Sequence, residues 1–281
     1  MRPRPLLSLF AGFGLVASTA ATTIPVFSAV EMSNSLADNG TDLALAGAPM
    51  WFFGRTQDHP PCYPTAAVND KGEQTPPAEL CEFPDTGCNC RYPWISNAQL
   101  NPSFPVYYSF QECRSGEVQV AYNLFYEKDG FSPEGVFGHA YDWEHVIVVW
   151  KNTTSSDKGD STWSPTRLLL SAHGKMTSHK WDDFVKDKNT DKPKVYVSWG
   201  KHAQYAKPTD DEHNETTLLR EMTEDAYRAE NWWYDPKKED LIRADRSTKI
   251  GKLIESFNWG KAYRNPVRVY ERLCTNLTAE H

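Results

Sequence analysis

Glu117-Val118-Gln119-Val120-Ala121-Tyr122-Asn123-Leu124-Phe125-Tyr126-Glu127 sets Val118, Val120, Tyr122, Leu124 and Tyr126 at every second position. That is the period of a β-strand, on which alternate side chains share a face. A second segment, Glu144-His145-Val146-Ile147-Val148-Val149-Trp150, is β-branched and aromatic and too short for a helix. It predicts a buried strand. Further strand signals fall at 106–110, 167–171, 194–199 and 267–272. Helical spacing occurs twice late in the chain. It is loose at 217–230 and clearer where Ser247 precedes Ile250, Leu253, Ile254 and Phe257, with Gly260 as a stop. Strands and helices do not alternate strictly. The chain is therefore expected to be mainly β, a sandwich of antiparallel strands with peripheral helices rather than a parallel α/β fold.

Residues 1–21 carry Arg2 and Arg4, an apolar stretch over 6–17 and the small residues Ser18, Thr19, Ala20 and Ala21. This is the pattern of a secretory signal peptide. No later run reaches the ~20 apolar residues of a spanning helix, so a secreted, extracellular product is expected. Residues 22–48 are small and polar and are read as a poorly ordered leader, leaving 49–281 as a single domain. The formal net charge is −7, and loss of Arg2 and Arg4 deepens it. An acidic chain of this kind is not built to bind nucleic acid. Sequons stand at Asn39, Asn152, Asn214 and Asn276. Cys62, Cys81, Cys88, Cys90, Cys113 and Cys274 make an even set that predicts disulfides in an oxidising compartment, with connectivity open. The proline-rich stretch 51–94 holds four of them and is read as disulfide-tied loop.

Gly138-His139-Ala140-Tyr141-Asp142-Trp143-Glu144-His145 leads directly into the apolar strand. Asp142 and Glu144 then lie on one strand face, where two ionised carboxylates repel unless a cation neutralises them. His139, on the incoming turn, can join them. The donors are oxygens with one imidazole and no thiolate, a set suited to Mg²⁺, Ca²⁺ or Mn²⁺ more than to structural zinc. Spacing alone equally allows a solvated strand end with His139 capping the turn. Trp143, on the opposite face, is expected to fill core, and Asn231-Trp232-Trp233-Tyr234 likewise.

The same residues carry a resemblance. Gly138 to Glu144 resembles the heptapeptide Gly-His-Arg-His-Asp-Trp-Glu of the necrosis- and ethylene-inducing peptide-like proteins, secreted by microbes that colonise plants. Ala121-Tyr122 through Tyr126-Glu127-Lys128-Asp129, Pro193-Lys194-Val195-Tyr196 with His202, and Trp259-Gly260-Lys261-Ala262 are similar to further family segments in the same order. The resemblance runs from about Cys62 to Cys274. It implies a β-sandwich akin to actinoporins and fungal lectins, with a divalent cation (Mg²⁺ or Ca²⁺) in an acidic surface cavity. The implied cation ligands are Asp129, His139, Asp142 and Glu144, with His202 and Tyr141 as ligand-binding neighbours. The implied activity is non-enzymatic: a monomer binds sphingolipid headgroups of plant plasma membranes and, in toxic members, damages the membrane.

Two heptapeptide positions depart from the family. Ala140 replaces an Arg, removing a forked donor suited to carboxylate or phosphate, and Tyr141 replaces the second His. The metal-holding residues survive while basic neighbours are lost, so toxicity is in doubt. A non-toxic secreted carbohydrate-binding protein on the same scaffold is one alternative. A metallohydrolase with His139, Asp142 and His145 as ligands and Glu144 as base is another. Strand alternation opposes it by placing Asp142 and His145 on opposite faces, and helical zinc-protease spacing is absent.

Overall fold

A computed structural model describes residues 24–53, 62–80, 103–114, 116–130, 134, 136–154, 161–187, 190–198, 200–207 and 233–275. The expected signal peptide, the helix at 217–230, Asn231 and Trp232, Cys81, Cys88, Cys90 and the sequons at Asn214 and Asn276 lie outside them. Elements follow in the order β1 (Phe27–Ser28), α1 (Ala29–Ala37), α2 (Thr41–Gly47), β2 (Met50–Phe53), β3 (Val106–Arg114), β4 (Glu117–Gly130), β5 (Gly138–Thr154), β6 (Ser161–Ala172) and β7 (Lys175–Lys180). Then come β8 (Lys194–Val197), β9 (Gln204–Tyr205), β10 (Trp233–Tyr234), β11 (Leu241–Arg243), α3 (Lys249–Ser256) and α4 (Pro266–Arg272). Among the described residues no helix is long and apolar enough to cross a membrane.

The strands form two sheets in a sandwich-like, mainly antiparallel β fold, as the alternation predicts. The larger has the order β1-β6-β5-β4-β3-β11, with β7 also on β6; the smaller has the order β10-β2-β8-β9. β4 and β5 are the central pair, in register from Glu117↔Lys151 to Gly130↔Gly138. Two pairings are parallel, β11 with β3 and β2 with β8. Their distant sequence positions allow this without a hairpin.

One face of the large sheet carries Val120, Tyr122, Leu124, Tyr126, Val146, Val148 and Trp150 and packs against Trp51, Phe53, Val195 and Val197 of the small sheet. The other face is covered as well. Phe125, Tyr107 and Trp143 meet Ile254 and Trp259, while Ala121, Ile147 and Val149 meet Val269 and Leu273. β4 is thus buried on both sides, and its buried Asn123 donates from Nδ2 to Tyr107 O at 2.8 Å, which offsets part of the cost of a polar group in the core.

Several expectations need correction. The segment read as a poorly ordered leader folds from residue 24 on: Ser28 caps α1 in a capping box with Glu31, and Met32, Leu43 and Ala44 are buried in the main core. Small and polar composition hid these apolar anchors. Residues 267–272, read as a strand from Val267-x-Val269, form α4. Asn265 accepts from the amides of Val267 and Arg268 at 3.1 and 3.3 Å, and Pro266 opens the helix, so the cap overrides β-branched propensity. The cap of α3 is Thr248, which accepts from Gly251 N at 3.0 Å; Ser247 instead bonds Asp245. The helix ends at Ser256, before Gly260. Trp233 and Tyr234 form β10, and Tyr234 is buried with its hydroxyl donating to Phe104 O at 3.1 Å. Cys113 and Cys274 are joined, tying the end of β3 to the chain just beyond α4. Cys62 is also disulfide-bonded.

Candidate functional site: an acidic cleft at the end of β4 and β5

Asp129 stands at the end of β4, and Asp142 and Glu144 at the start of β5, facing the same cleft of about 340 Å³. The backbone sets this convergence. Asp142 and Glu144 are two apart on one strand and share a face. Tyr141 has a left-handed φ of 61°, which breaks the alternation. His139 stands opposite Asp129 in the β4–β5 register, its Nε2 lying 3.3 Å from Oδ2, while its Nδ1 lies 3.0 Å from Tyr141 O.

All three carboxylates are buried. Asp129 pairs with Lys201, Nζ to Oδ2 3.0 Å. Asp142 accepts from the amide of Trp143 at 2.8 Å, and its Oδ2 lies 2.9 Å from Nδ1 of His202. Glu144 accepts a short hydrogen bond from the hydroxyl of Ser171. Burial pushes the Asp142 carboxyl up to about 7, against the pull of His139 and the Trp143 amide. Glu144 is raised well above the usual carboxylate range by burial and by Asp142, and Asp129 is raised by the same two causes. His202 is 1% exposed, lies flat on the ring of Tyr126 at 3.7 Å, and is driven down to about 3 by burial. It is therefore neutral, and its contact with Asp142 is a hydrogen bond rather than an ion pair.

Asp129, Asp142 and His202 offer ligand atoms all within 4.8 Å of one another. His202, expected as a neighbour, is thus a member of the tightest cluster. Glu144 lies in the same cleft but is turned to Ser171. Tyr141 does not line the cleft: its ring packs against Trp259 at 5.2 Å and Phe125 at 6.0 Å. It shares the face of Trp143 and packs beside it, away from the residues that line the cleft. His145 also faces away, beside Arg264 and Arg272, whose charge adds to burial in driving its imidazole down to about 3. The hydrolase ligand set of His139, Asp142 and His145 is therefore not assembled.

Lys201, His173, Lys261 and Arg264 also line the cleft, and none was expected there from the sequence. Lys201 adjoins His202 and is positioned by the bond from Gly130 N to Gly200 O, 2.6 Å. The turn at His173 and Gly174 is held by Arg264, which donates to Gly174 O at 2.8 Å. Lys201 next to a flagged histidine and Lys261 within a flagged segment are local signals; His173 and Arg264 depend on tertiary folding alone.

Several solved structures resemble the fold. The non-toxic HaNLP3 protein aligns with a TM-score of 0.52 at 17% identity, covering 85% of this chain and 91% of that one. A protein solved as a toxin fold for microbial attack and plant defense aligns with a TM-score of 0.51 at 17% identity, covering 87% and 92%. No curated protein matches in sequence. Residues 55–262 match the family described as Necrosis inducing protein (NPP1), a stretch that contains every residue of the acidic cleft except Tyr263 and Arg264. With that match, the fold and the heptapeptide in agreement, the chain belongs to the necrosis inducing protein family.

Proposed function

We propose that the acidic cleft holds a divalent cation, Mg²⁺ or Ca²⁺, and that the loaded cleft reads the sugar headgroup of sphingolipids on plant plasma membranes, outside the producing cell and without covalent chemistry. The observation that carries this reading is electrostatic. Asp129, Asp142 and Glu144 are buried together and all three carboxyls are raised, with Asp142 accepting from the Trp143 amide and Glu144 from the Ser171 hydroxyl. Buried carboxylates so arranged are costly unless a cation joins them. Oxygen donors with imidazole fit a hard cation.

Asp129, Asp142 and His202 would be the central ligands, with His139 and Glu144 at the margin. A bound cation supplies a centre that accepts sugar hydroxyl or carboxylate oxygens as added ligands. The chain's own groups do the rest. The Trp143 amide and Ser171 hydroxyl fix the carboxylates of Asp142 and Glu144, Lys201 orients Asp129, and Lys261 and Arg264 offer donors to an incoming headgroup.

Ala140 favours a second outcome for the same site. Without the family's Arg at that position the loop loses a guanidinium, which supports headgroup recognition with little or no lysis. The test is metal analysis of the purified protein with flotation and dye release from vesicles containing plant glycosylated inositol-phosphoceramide. Bound cation and vesicle association, both lost in Asp142→Asn, are expected. Association unchanged in that variant, or in chelator, would refute the reading; association without dye release selects the non-lytic version.

A further inference from the structure

A second cleft, of about 260 Å³, opens on the face of the large sheet opposite Asp142 and Glu144. Its chemistry is reversed. Arg264, Arg268 and Arg272 line it, with Glu271 as the single acid among the lining residues. Arg268 and Arg272 stand four apart on α4, where like charges stack on one helical face and repel. Glu271 pairs with Arg268 at 3.1 Å and is shared with Arg246, which lies outside the cleft lining. His145 reaches the same cleft from β5. It is 4% exposed, and its Nδ1 has no hydrogen-bond partner among the described residues. A buried ring nitrogen without a partner is uncommon and costs stability. Met176 and Val269 make the remaining wall apolar.

We propose that this cleft is an oxyanion-binding site, taking a phosphate or carboxylate group between the guanidinium forks of Arg268 and Arg272 beside His145, with the body of the ligand against Met176 and Val269. Planar guanidinium groups present paired donors matched to such oxygens. The ligand class is an organic anion with a compact apolar or sugar body, because a fully polar ligand would leave the apolar wall unused. Tyr263 and Arg264 border both clefts, so the two sites are neighbours on the rim. The inference does not depend on a cation in the acidic cleft.

The test is titration of the full-length secreted protein with inorganic phosphate at constant ionic strength, chloride serving as the control, followed by thermal shift and by the ring signals of His145. A saturable rise in Tm with phosphate is expected, weakened about ten-fold in Arg268→Gln and in Arg272→Gln and unchanged in Asp142→Asn. That last variant separates this site from the cation site. Glucuronate run in parallel distinguishes a carboxylate ligand from a phosphate; either anion binding through the two arginines supports the site. Equal responses to phosphate, glucuronate and chloride overturn it, as does wild-type affinity in both arginine variants. Should a variant fold poorly, the wild-type protein still decides: movement of the His145 ring signals with the anion supports the site, and their constancy refutes it.

Discussion

Replacing Asp142 by Asn removes one buried charge while keeping side-chain shape. The amide oxygen can still accept from Trp143 N, and neutral His202 can change tautomer to meet the new NH₂ group. In the folded protein the Asp142 carboxyl is raised from 3.8 to about 7. The folded state therefore keeps its proton where the unfolded chain has lost it, and the resulting stability is full below about pH 4 and is lost as pH rises through about 7. The gap between 3.8 and about 7 corresponds to about 4 kcal/mol, an upper figure for the isolated carboxylate. In metal-free buffer at pH 8, Asp142→Asn should be more stable than wild type by up to that amount, and at pH 4 the two should converge. His145 and His202, driven down by burial, are neutral in the fold and add stability as pH rises toward 6.5. Asp142 also raises Asp129 and Glu144 and bonds His202, so the difference between the two curves reports the charge at Asp142 together with its effect on these neighbours. Excess Ca²⁺ or Mg²⁺ should narrow that gap at pH 8 and close it at about 1,000-fold Kd, since binding stabilises wild type by about 2.7 kcal/mol at 100-fold and about 4.1 kcal/mol at 1,000-fold Kd. Urea denaturation with and without chelator measures both. Wild type as stable as the variant at pH 8 in chelator would refute the claim that the cleft is electrostatically incomplete.

Three further outcomes follow from packing and backbone. Gly130→Ala should cost more than about 1 kcal/mol by urea denaturation and weaken cation binding, because φ is 68° there and a Cβ would lie 2.1 Å from Phe137 O. Asn265→Ala should lower stability by about 1 kcal/mol through loss of the α4 cap, with circular dichroism reporting frayed helix. Cys113→Ser paired with Cys274→Ser should cost about 2–5 kcal/mol, read as a lower midpoint in guanidinium.

The β4 and β5 alternation was legible because a period of two survives any tertiary setting, and the central strand pair lies where it predicts. Its limit shows at Phe125 and Ala121. Their burial under α3, α4 and the Trp259 loop makes the sheet two-sided, and a pattern of partial alternation does not reveal which polar positions are covered. The acidic residues were legible as a set, since Asp142 and Glu144 announce a shared face. The geometry around them was not. The left-handed φ at Tyr141 has no marker such as glycine, and the pairing of His139 with Asp129 comes from a β4–β5 register that the spacing of either segment alone does not give. His202 arrives from a distant loop, stacked on Tyr126, a contact no spacing rule encodes. At α4 the cap signal of Asn265 and Pro266 was present but outweighed by the two valines.

The stretch shared with the family, 55–262, leaves out more than tails. It omits β2, which sits between β10 and β8 in the smaller sheet, and the two N-terminal helices beside it. It also omits α4, one of the lids on the far side. Met32, Leu43, Trp51 and Phe53 are each fully or almost fully buried. At roughly 1.5–3 kcal/mol per side chain, their removal would forfeit an amount comparable with the whole net stability of a domain, about 5–15 kcal/mol. A recombinant fragment trimmed to the shared stretch is therefore expected not to fold by itself, and boundaries for expression, tagging or limited proteolysis belong upstream of Phe27 and downstream of Cys274.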